Sequence, residues 1–263
     1  MDLITDKEKL ADVNDPSKEA AHVYDDLIAT FILISTSEKS RKEKFILIEK
    51  WRNKIRTYNT KFAEEKTRQI YLKYSEDAFN EAKSFIDEID VKKKLLIGQK
   101  EELENLAQQL EIGLNKRLDA LTEQAKQLAL RQDLAKIQEK KLGYKDATDR
   151  TQITPKKAVK NLLFTNKEGK IVSMQSVMKF TVGDQLWSNI TTAQRTQWLL
   201  LGFIYGTHIS VMDDKTTIIC RSLNLTRRDL RKDKLPPMHN GCRSKIKLSK
   251  EGWDESVFLK NFK

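Results

Sequence analysis

The feature that most constrains this fold is the absence of proline between Ser17 and Thr154. Proline disrupts a helix interior because it lacks a backbone N–H and its ring clashes with the preceding turn. A long stretch without proline, in a chain with only 9 glycines, favours uninterrupted helices over a turn-rich β-fold. We predict helices at about 17–34, 37–90 and 92–141, with breaks at 35–37 and at Asp90. A flexible arm, 1–16, is predicted to precede them and to end at Asp15-Pro16.

The third predicted helix carries an apolar stripe. Its members recur every three or four residues, which places them on one helix face: Leu103, Leu106, Leu110, Leu114, Leu118, Leu121, Ala125 and Leu128. Consecutive steps of four depart from a strict heptad and predict locally reduced left-handed supercoiling. The stripe packs either on the second helix, folded back as a hairpin, or on another copy of the chain. We therefore predict a long helical hairpin or coiled-coil domain at 17–145, through which the chain could form a homo-oligomer.

The sequence changes character after Gly143, and 151–263 is predicted as a separate α+β domain. Thr154 and Pro155 are typical of a helix start, and this helix is expected to reach Leu163. A strand at 170–177 and helices at 183–190 and 192–204 follow. Alternating residues predict strands at 205–212 and 216–220 around a turn at Asp213, a basic loop at 221–235 and an edge strand at 243–248. The predicted fold class is α+β, a long helical region followed by a small domain with a short antiparallel sheet.

The net charge of +11 and a pI of about 9.4 favour contact with a polyanion, and nucleic acid is the first candidate. Basic residues are concentrated at 41–73, with 11 against 4 acidic residues, and at 221–263, with 12 against 5. The candidate DNA contacts lie in the basic loop: Arg227, Arg228, Arg231, Lys232 and Lys234. The alternative is that these side chains are solvated or contact protein.

Several classes of protein are disfavoured. Two cysteines do not form a disulfide-dense secreted scaffold, and the polar N-terminus lacks an apolar signal core. The most apolar run, 27–34, is far shorter than the roughly 20 residues that span a bilayer, so we predict a core helix and no membrane contact. The sequence lacks the motifs of phosphate-binding loops, serine hydrolases and zinc proteases, and no enzymatic activity is expected.

Cys220, His239 and Cys242 are candidate zinc ligands. His239 and Cys242 lie three residues apart in a tight turn after two prolines, and thiolate and imidazole are the groups that structural zinc prefers. A structural zinc ion needs four ligands, and His208 or Asp213 is the candidate for the fourth. The alternative is that both cysteines are small buried apolar residues and that His239 hydrogen-bonds within the turn. A disulfide is less favoured in a protein that folds in the cytosol.

The same region carries a motif that spans 207–244. A strand ends in Asp213, a Lys-Thr-Thr turn leads to Cys220, and a variable loop precedes Leu-Pro-Pro-x-His-x-x-Cys-Arg-Ser. This order resembles the C-terminal signature of the Mu F-like phage head morphogenesis family. The matched positions are Asp213, Lys215, Thr216, Thr217, Cys220, Pro236, Pro237, His239, Cys242 and Arg243. The variable loop, 223–234, departs from the family pattern because it is rich in Arg and Lys and lacks an Asp-Gly turn.

The resemblance implies a minor capsid protein that acts in head assembly and in DNA packaging or delivery. It implies a location in the virion, at the portal vertex or head interior, and in the host cytoplasm during assembly. The implied partners are portal, major capsid or scaffold proteins, with DNA as a further candidate. The alternatives are a virion protein that coats packaged or ejected DNA, a coiled-coil structural component, and a less favoured Cys-dependent hydrolase that uses Cys220 and His239.

Overall fold

A computed structural model describes residues 3–86, 100–142, 164–165, 168–239 and 241–262. Three long helices come first: α1 (Leu3–Thr36), α2 (Arg41–Lys83) and α3 (Lys100–Leu142). Two short strands and two helices follow: β1 (Phe164–Thr165), β2 (Ile171–Val172), α4 (Met174–Met178) and α5 (Asp184–Leu200), with a π-helical turn at Lys179–Gly183. The last elements are β3 (Tyr205–Ile209), α6 (Ile218–Leu223), β4 (Arg227–Asp229), β5 (Lys245–Lys247), a 3₁₀ turn at Lys250–Gly252 and α7 (Glu255–Phe262).

The predicted α+β class is confirmed. Long helices precede a small region in which β3 is the central strand of an antiparallel sheet, with β4 on one side and β5 on the other. Thr207 lies opposite both Arg227 and Lys247, which fixes the register of the three strands. The edge strand predicted at 243–248 is therefore confirmed as β5. In the described part of the chain, no helix combines the length and the apolar character needed to cross a membrane.

The chain forms two compact units, each built from separated segments. The first contains Met1–Val13, Ala63–Leu110 and Gly183–Lys263, and the second contains Asn14–Phe62 and Glu111–Val182. This division differs from the domains predicted at 17–145 and 151–263, because all three long helices contribute to both units. The sheet and the motif at 207–244 belong to the first unit.

The apolar stripe of α3 is buried within the chain itself. In the second unit, Leu114, Leu118 and Leu121 are 0% exposed. The Tyr24 hydroxyl of α1 donates a hydrogen bond to the Leu114 carbonyl, and the Lys44 ammonium of α2 pairs with the Asp133 carboxylate of α3 at 3.2 Å. In the first unit, Leu106 and Leu110 are also buried. The stripe is therefore buried within a single chain in which both α1 and α2 contact α3, whereas homo-oligomerisation stays a prediction.

The first unit has an apolar core that joins the end of α2 to the C-terminal elements. Its largest almost fully buried members are Trp198 of α5 and Phe203. They share this core with four residues from 78–86, with one residue that follows α5, and with five residues from 230–258: Ala78, Phe79, Ala82, Ile86, Leu201, Leu230, Leu235, Ile246, Leu248 and Phe258. The sheet is therefore anchored to the helical segment by apolar burial, the main favourable contribution to folding.

The flexible arm predicted at 1–16 is corrected, because α1 begins at Leu3 and contains Pro16. Pro16 lacks the N–H that would bond to the carbonyl four residues earlier, which is why it predicted a boundary. Contacts between α1 and α2 compensate for the backbone hydrogen bond that Pro16 cannot donate. The carboxylate of Asp12 accepts hydrogen bonds from the Lys73 ammonium at 2.6 Å and the Tyr74 hydroxyl at 2.8 Å. Tertiary contacts thus extend the helix through a residue that disfavours it.

Several predicted elements differ from those observed. The strand predicted at 216–220 is wrong, because 218–223 forms α6. The strand predicted at 170–177 is reduced to β2 and followed by α4, and the two helices predicted at 183–190 and 192–204 are the single helix α5. The basic loop predicted at 221–235 contains the end of α6 and the strand β4. The break at Asp90 and the helix predicted from Thr154 to Leu163 lie outside the described residues.

Candidate metal centre

The backbone of Cys220, in the first turn of α6, is held by two hydrogen bonds. The Thr217 side-chain oxygen caps the helix and accepts the Cys220 backbone N–H at 3.4 Å. The Cys220 carbonyl accepts a hydrogen bond from the Ser210 hydroxyl at 2.6 Å, and the Ser244 hydroxyl donates to Ser210 at 3.2 Å. These contacts connect α6 to the residues just after β3 and just before β5. The Cys220 side chain is buried.

His239 and Cys242 approach Cys220 from a turn that follows the cis Pro236–Pro237 bond. The Cys242 backbone N–H donates to the His239 carbonyl at 3.1 Å, which closes the turn. Gly241 within the turn has a φ of 70°, a conformation that glycine adopts without steric cost. The Cys220 Sγ lies 3.1 Å from the His239 Nε2 and 3.7 Å from the Cys242 Sγ.

This geometry can hold a metal ion. The three ligand atoms of Cys220, His239 and Cys242 all lie within 4.8 Å of one another. The two cysteines are free thiols, and their sulfur separation of 3.7 Å is far longer than the roughly 2.05 Å of a disulfide. Two thiolates bound tetrahedrally at about 2.3 Å from one zinc ion would be separated by roughly 3.8 Å. The separation of the sulfurs therefore matches one shared tetrahedral ion.

Burial raises the pKa of the Cys220 thiol, and the neighbouring Cys242 acts in the same direction, while a hydrogen bond with Ser244 opposes them. In this environment the thiol is disfavoured as a free thiolate. A bound divalent cation would instead favour the thiolate form, because its positive charge would lie beside the sulfurs. Metal binding at this site therefore requires the release of protons from the cysteines.

The polar residues of the motif form a second cluster beside the cysteines. The Arg243 guanidinium donates to both carboxylate oxygens of Asp213, at 2.6 and 2.7 Å. The Thr216 hydroxyl and the Lys215 backbone N–H also donate to Asp213, at 2.9 and 3.0 Å. These bonds, led by that from Arg243, hold the pKa of Asp213 well below its usual range, and Asp213 raises the pKa of Arg243. The ion pair ties the turn at 213–217 to the chain just after Cys242.

Neither residue considered as a fourth ligand joins the three. His208 is fully buried on β3 opposite Ile246, and its ring nitrogens have no hydrogen-bond partner among the described residues. Burial, assisted by the charge of Arg228, lowers the pKa of His208. Asp213 is occupied by Arg243. The group of potential ligands found among the described residues comprises Cys220, His239 and Cys242 and does not include His208.

The candidate DNA contacts are largely engaged within the chain. The Arg231 guanidinium donates to both carboxylate oxygens of Asp229, at 2.9 and 3.1 Å, and lowers the pKa of Asp229 to about 2. The Lys232 ammonium lies 3.9 Å from Asp229. The Arg227 guanidinium stacks over the Tyr205 ring at 3.6 Å from its centroid. Asp229 therefore offsets part of the positive charge of the basic segment, and DNA contact was predicted from that charge.

Arg228 and Lys234 complete the set. Arg228 is partly buried, and its guanidinium lies 3.6 Å from the Asp233 carboxylate and donates to the Lys234 carbonyl at 3.2 Å. The Lys234 side chain is exposed. The structure therefore brings Cys220, His239 and Cys242 together, and it pairs several of the basic residues with acids of the same segment.

No family model matches this chain, and no match was found among curated proteins or solved structures. The resemblance to Mu F-like head morphogenesis proteins therefore rests on the motif residues at 207–244. The contacts among those residues in the structure are an observation separate from their order in the sequence.

Proposed function

We propose that this chain is a phage minor head protein that acts in head assembly and in DNA packaging or delivery. One observation carries the proposal. Motif residues distributed over 213–243 assemble into a single small structure, in which Asp213 pairs with Arg243 and Cys220 contacts His239 and Cys242. Such mutual contact is expected if the motif is one functional unit rather than a chance series of residues.

The proposed centre is a zinc site that the described residues supply with three of the four ligands zinc prefers. Cys220, His239 and Cys242 supply soft sulfur and imidazole ligands, and the sulfur separation suits zinc. An ion bound by Cys220 of α6 and by His239 and Cys242 would stabilise the contact between these two parts of the chain. In this proposal the ion maintains the shape of a docking unit and takes no part in a reaction.

The partners of the proposed protein are portal, major capsid or scaffold proteins of the head. The long helices would extend the molecule towards these partners, and the sheet region would dock. DNA is the second candidate partner, favoured by the net charge of +11. The internal pairing of Arg231 and Arg228 with acids reduces the support for the basic segment as a DNA interface.

The hydrolase alternative receives little support. The Cys220 Sγ and His239 Nε2 are 3.1 Å apart, as in a nucleophile and its base. A reactive cysteine, however, is partly exposed and has a lowered pKa. Cys220 is 2% exposed and its pKa is raised. We therefore propose that the chain is not an enzyme.

The experiment is to purify phage particles assembled with the tagged chain and to determine an averaged density map. We expect the chain inside the head or at the portal vertex. The Asp213→Asn variant should be incorporated less well, because it loses the charge that pairs with Arg243. Asp214→Asn is the matched control, since Asp214 is exposed on the same turn. Absence of the wild-type chain from particles, or equal incorporation of both variants, would contradict the proposal.

A further inference from the structure

The segment 211–225, which includes Cys220, exposes an unusual number of large apolar side chains. Val211 is 41% exposed, Met212 58%, Ile218 85%, Ile219 51% and Leu225 71%. Single exposed apolar residues are ordinary, but here five of them lie within 15 positions of the sequence, on and beside the short helix α6. We name these five residues the apolar patch.

Leu225 shows that the patch is maintained at a cost to the fold. Its φ is 61°, in the left-handed region that glycine and asparagine adopt far more readily than a leucine. Its backbone N–H donates to the His208 carbonyl at 2.7 Å, so the backbone is fixed in this conformation. The side chain gains little burial in return, because 71% of it is exposed. Folding alone does not explain leucine here, and strain of this kind accumulates at functional positions.

Positive charge accompanies the patch. The Arg221 guanidinium is exposed and is oriented by the Asp213 carbonyl at 2.8 Å and the Thr216 carbonyl at 3.1 Å. No carboxylate among the described residues pairs with it. Lys215 and Asp214 on the same turn are also exposed, while Asp213 is paired with Arg243. A fixed guanidinium beside exposed isoleucines is complementary to a carboxylate that is flanked by apolar side chains.

We propose that the apolar patch and Arg221 dock a segment of another protein in which apolar side chains alternate or share a face with Asp or Glu. The apolar residues provide the contact area, and Arg221 orients the segment through a charge-assisted hydrogen bond. Nucleic acid is disfavoured as the occupant, because its phosphates would leave Ile218 and Leu225 without an apolar partner. This inference does not depend on the proposed head function.

The test is a selection of mRNA-displayed random peptides on the immobilised full chain, followed by fluorescence anisotropy with the enriched peptides. We expect enriched peptides to combine Leu, Ile or Phe with Asp or Glu. Ile218→Ser and Leu225→Asn should each weaken binding at least about tenfold, which corresponds to about 1.4 kcal/mol. Arg221→Gln should weaken binding mainly at low salt, because screening already reduces the ionic contribution at high salt.

Two controls separate docking from folding. Leu33→Ser changes an equally exposed leucine on α1 and should leave peptide binding unchanged. Leu225→Asn should unfold at the same or a higher temperature than wild type, because asparagine tolerates positive φ. The proposal would be overturned if no peptides are enriched or if the enriched peptides lack acidic residues. It would also be overturned if the patch variants bind the peptides as tightly as the wild type does. Dimerisation in sedimentation that Ile218→Ser abolishes would make a second copy the occupant and would also overturn it.

Discussion

Removal of zinc is the perturbation that tests the metal centre most directly. A ligand that binds only the folded state stabilises it by about 2.7 kcal/mol at 100 times its Kd and about 4.1 kcal/mol at 1,000 times. With zinc in this range, a chelator should therefore lower the free energy of unfolding by about 3–4 kcal/mol. Elemental analysis should find about one zinc ion per chain, because Cys220, His239 and Cys242 surround a single position.

Substitutions should separate the metal contribution from packing. Cys242 is 6% exposed, and serine is a poor zinc ligand, so Cys242→Ser should abolish both zinc binding and the chelator effect. Without metal, the substitution should cost only about 1–3 kcal/mol, as expected when a small buried apolar residue becomes polar. His239→Ala should also abolish zinc binding. His22→Ala and His208→Ala should retain it, because neither histidine belongs to the ligand group.

Tryptophan fluorescence provides the assay. Of the four tryptophans, Trp187, Trp198 and Trp253 lie in the unit that contains the metal centre, and Trp51 lies in the other. Fluorescence during denaturant unfolding therefore reports mainly on the unit expected to lose stability. The zinc prediction would be refuted if protein purified without chelator contains no zinc and if neither zinc nor chelator changes its unfolding curve. The cysteines would then be packed residues in a hydrogen-bonded turn.

Three further predictions follow from the described contacts. Leu110→Ala and Leu118→Ala should each lower stability by about 2–5 kcal/mol, since both side chains are 0% exposed; unchanged denaturant midpoints would contradict their burial. The Asp213 carboxylate, whose pKa Arg243 depresses, should stabilise the fold above its unfolded pKa of about 3.9 and lose this effect as the pH falls through the folded value. Asp213→Asn should therefore flatten the acid limb of a stability–pH profile. Arg227→Glu should reduce the salt dependence of any DNA binding by roughly one phosphate contact, and an unchanged slope would assign Arg227 to protein contacts.

The long helices could be predicted because their signals are local and repeated. Missing prolines and the apolar stripe both indicated extended helix, and the buried residues Leu114 and Leu118 lie where the stripe placed them. The start of α1 could not be predicted, because it depends on Asp12 contacting Lys73 and Tyr74, which are distant in sequence. The low helix propensity of Pro16 indicated that the helix begins after it, but tertiary contacts extend the helix through this residue.

The motif predicted which residues meet at the site but not how. Thr216 to Ile219 is a β-branched run that favours a strand, yet Thr217 caps α6 and turns Cys220 towards His239. The pairing of Asp213 with Arg243 over 30 positions left no local signal. The same holds for Asp229 and Asp233, which offset part of the positive charge of the basic segment, because their contacts with Arg231 and Arg228 depend on backbone geometry that composition does not reveal.

The discontinuous first unit has a consequence for biosynthesis. A chain synthesised from its N-terminus can complete the segments Asn14–Phe62 and Glu111–Val182 while residues after 182 are still being added. The first unit cannot complete its apolar core at this stage, because Ala78 and Phe79 obtain their partners Trp198 and Phe203 only when the C-terminal region emerges. Until then these apolar residues remain available to chaperones and to neighbouring chains. A fragment that begins at 151 would meet the converse problem, with Trp198 and Phe203 lacking the helix that covers them.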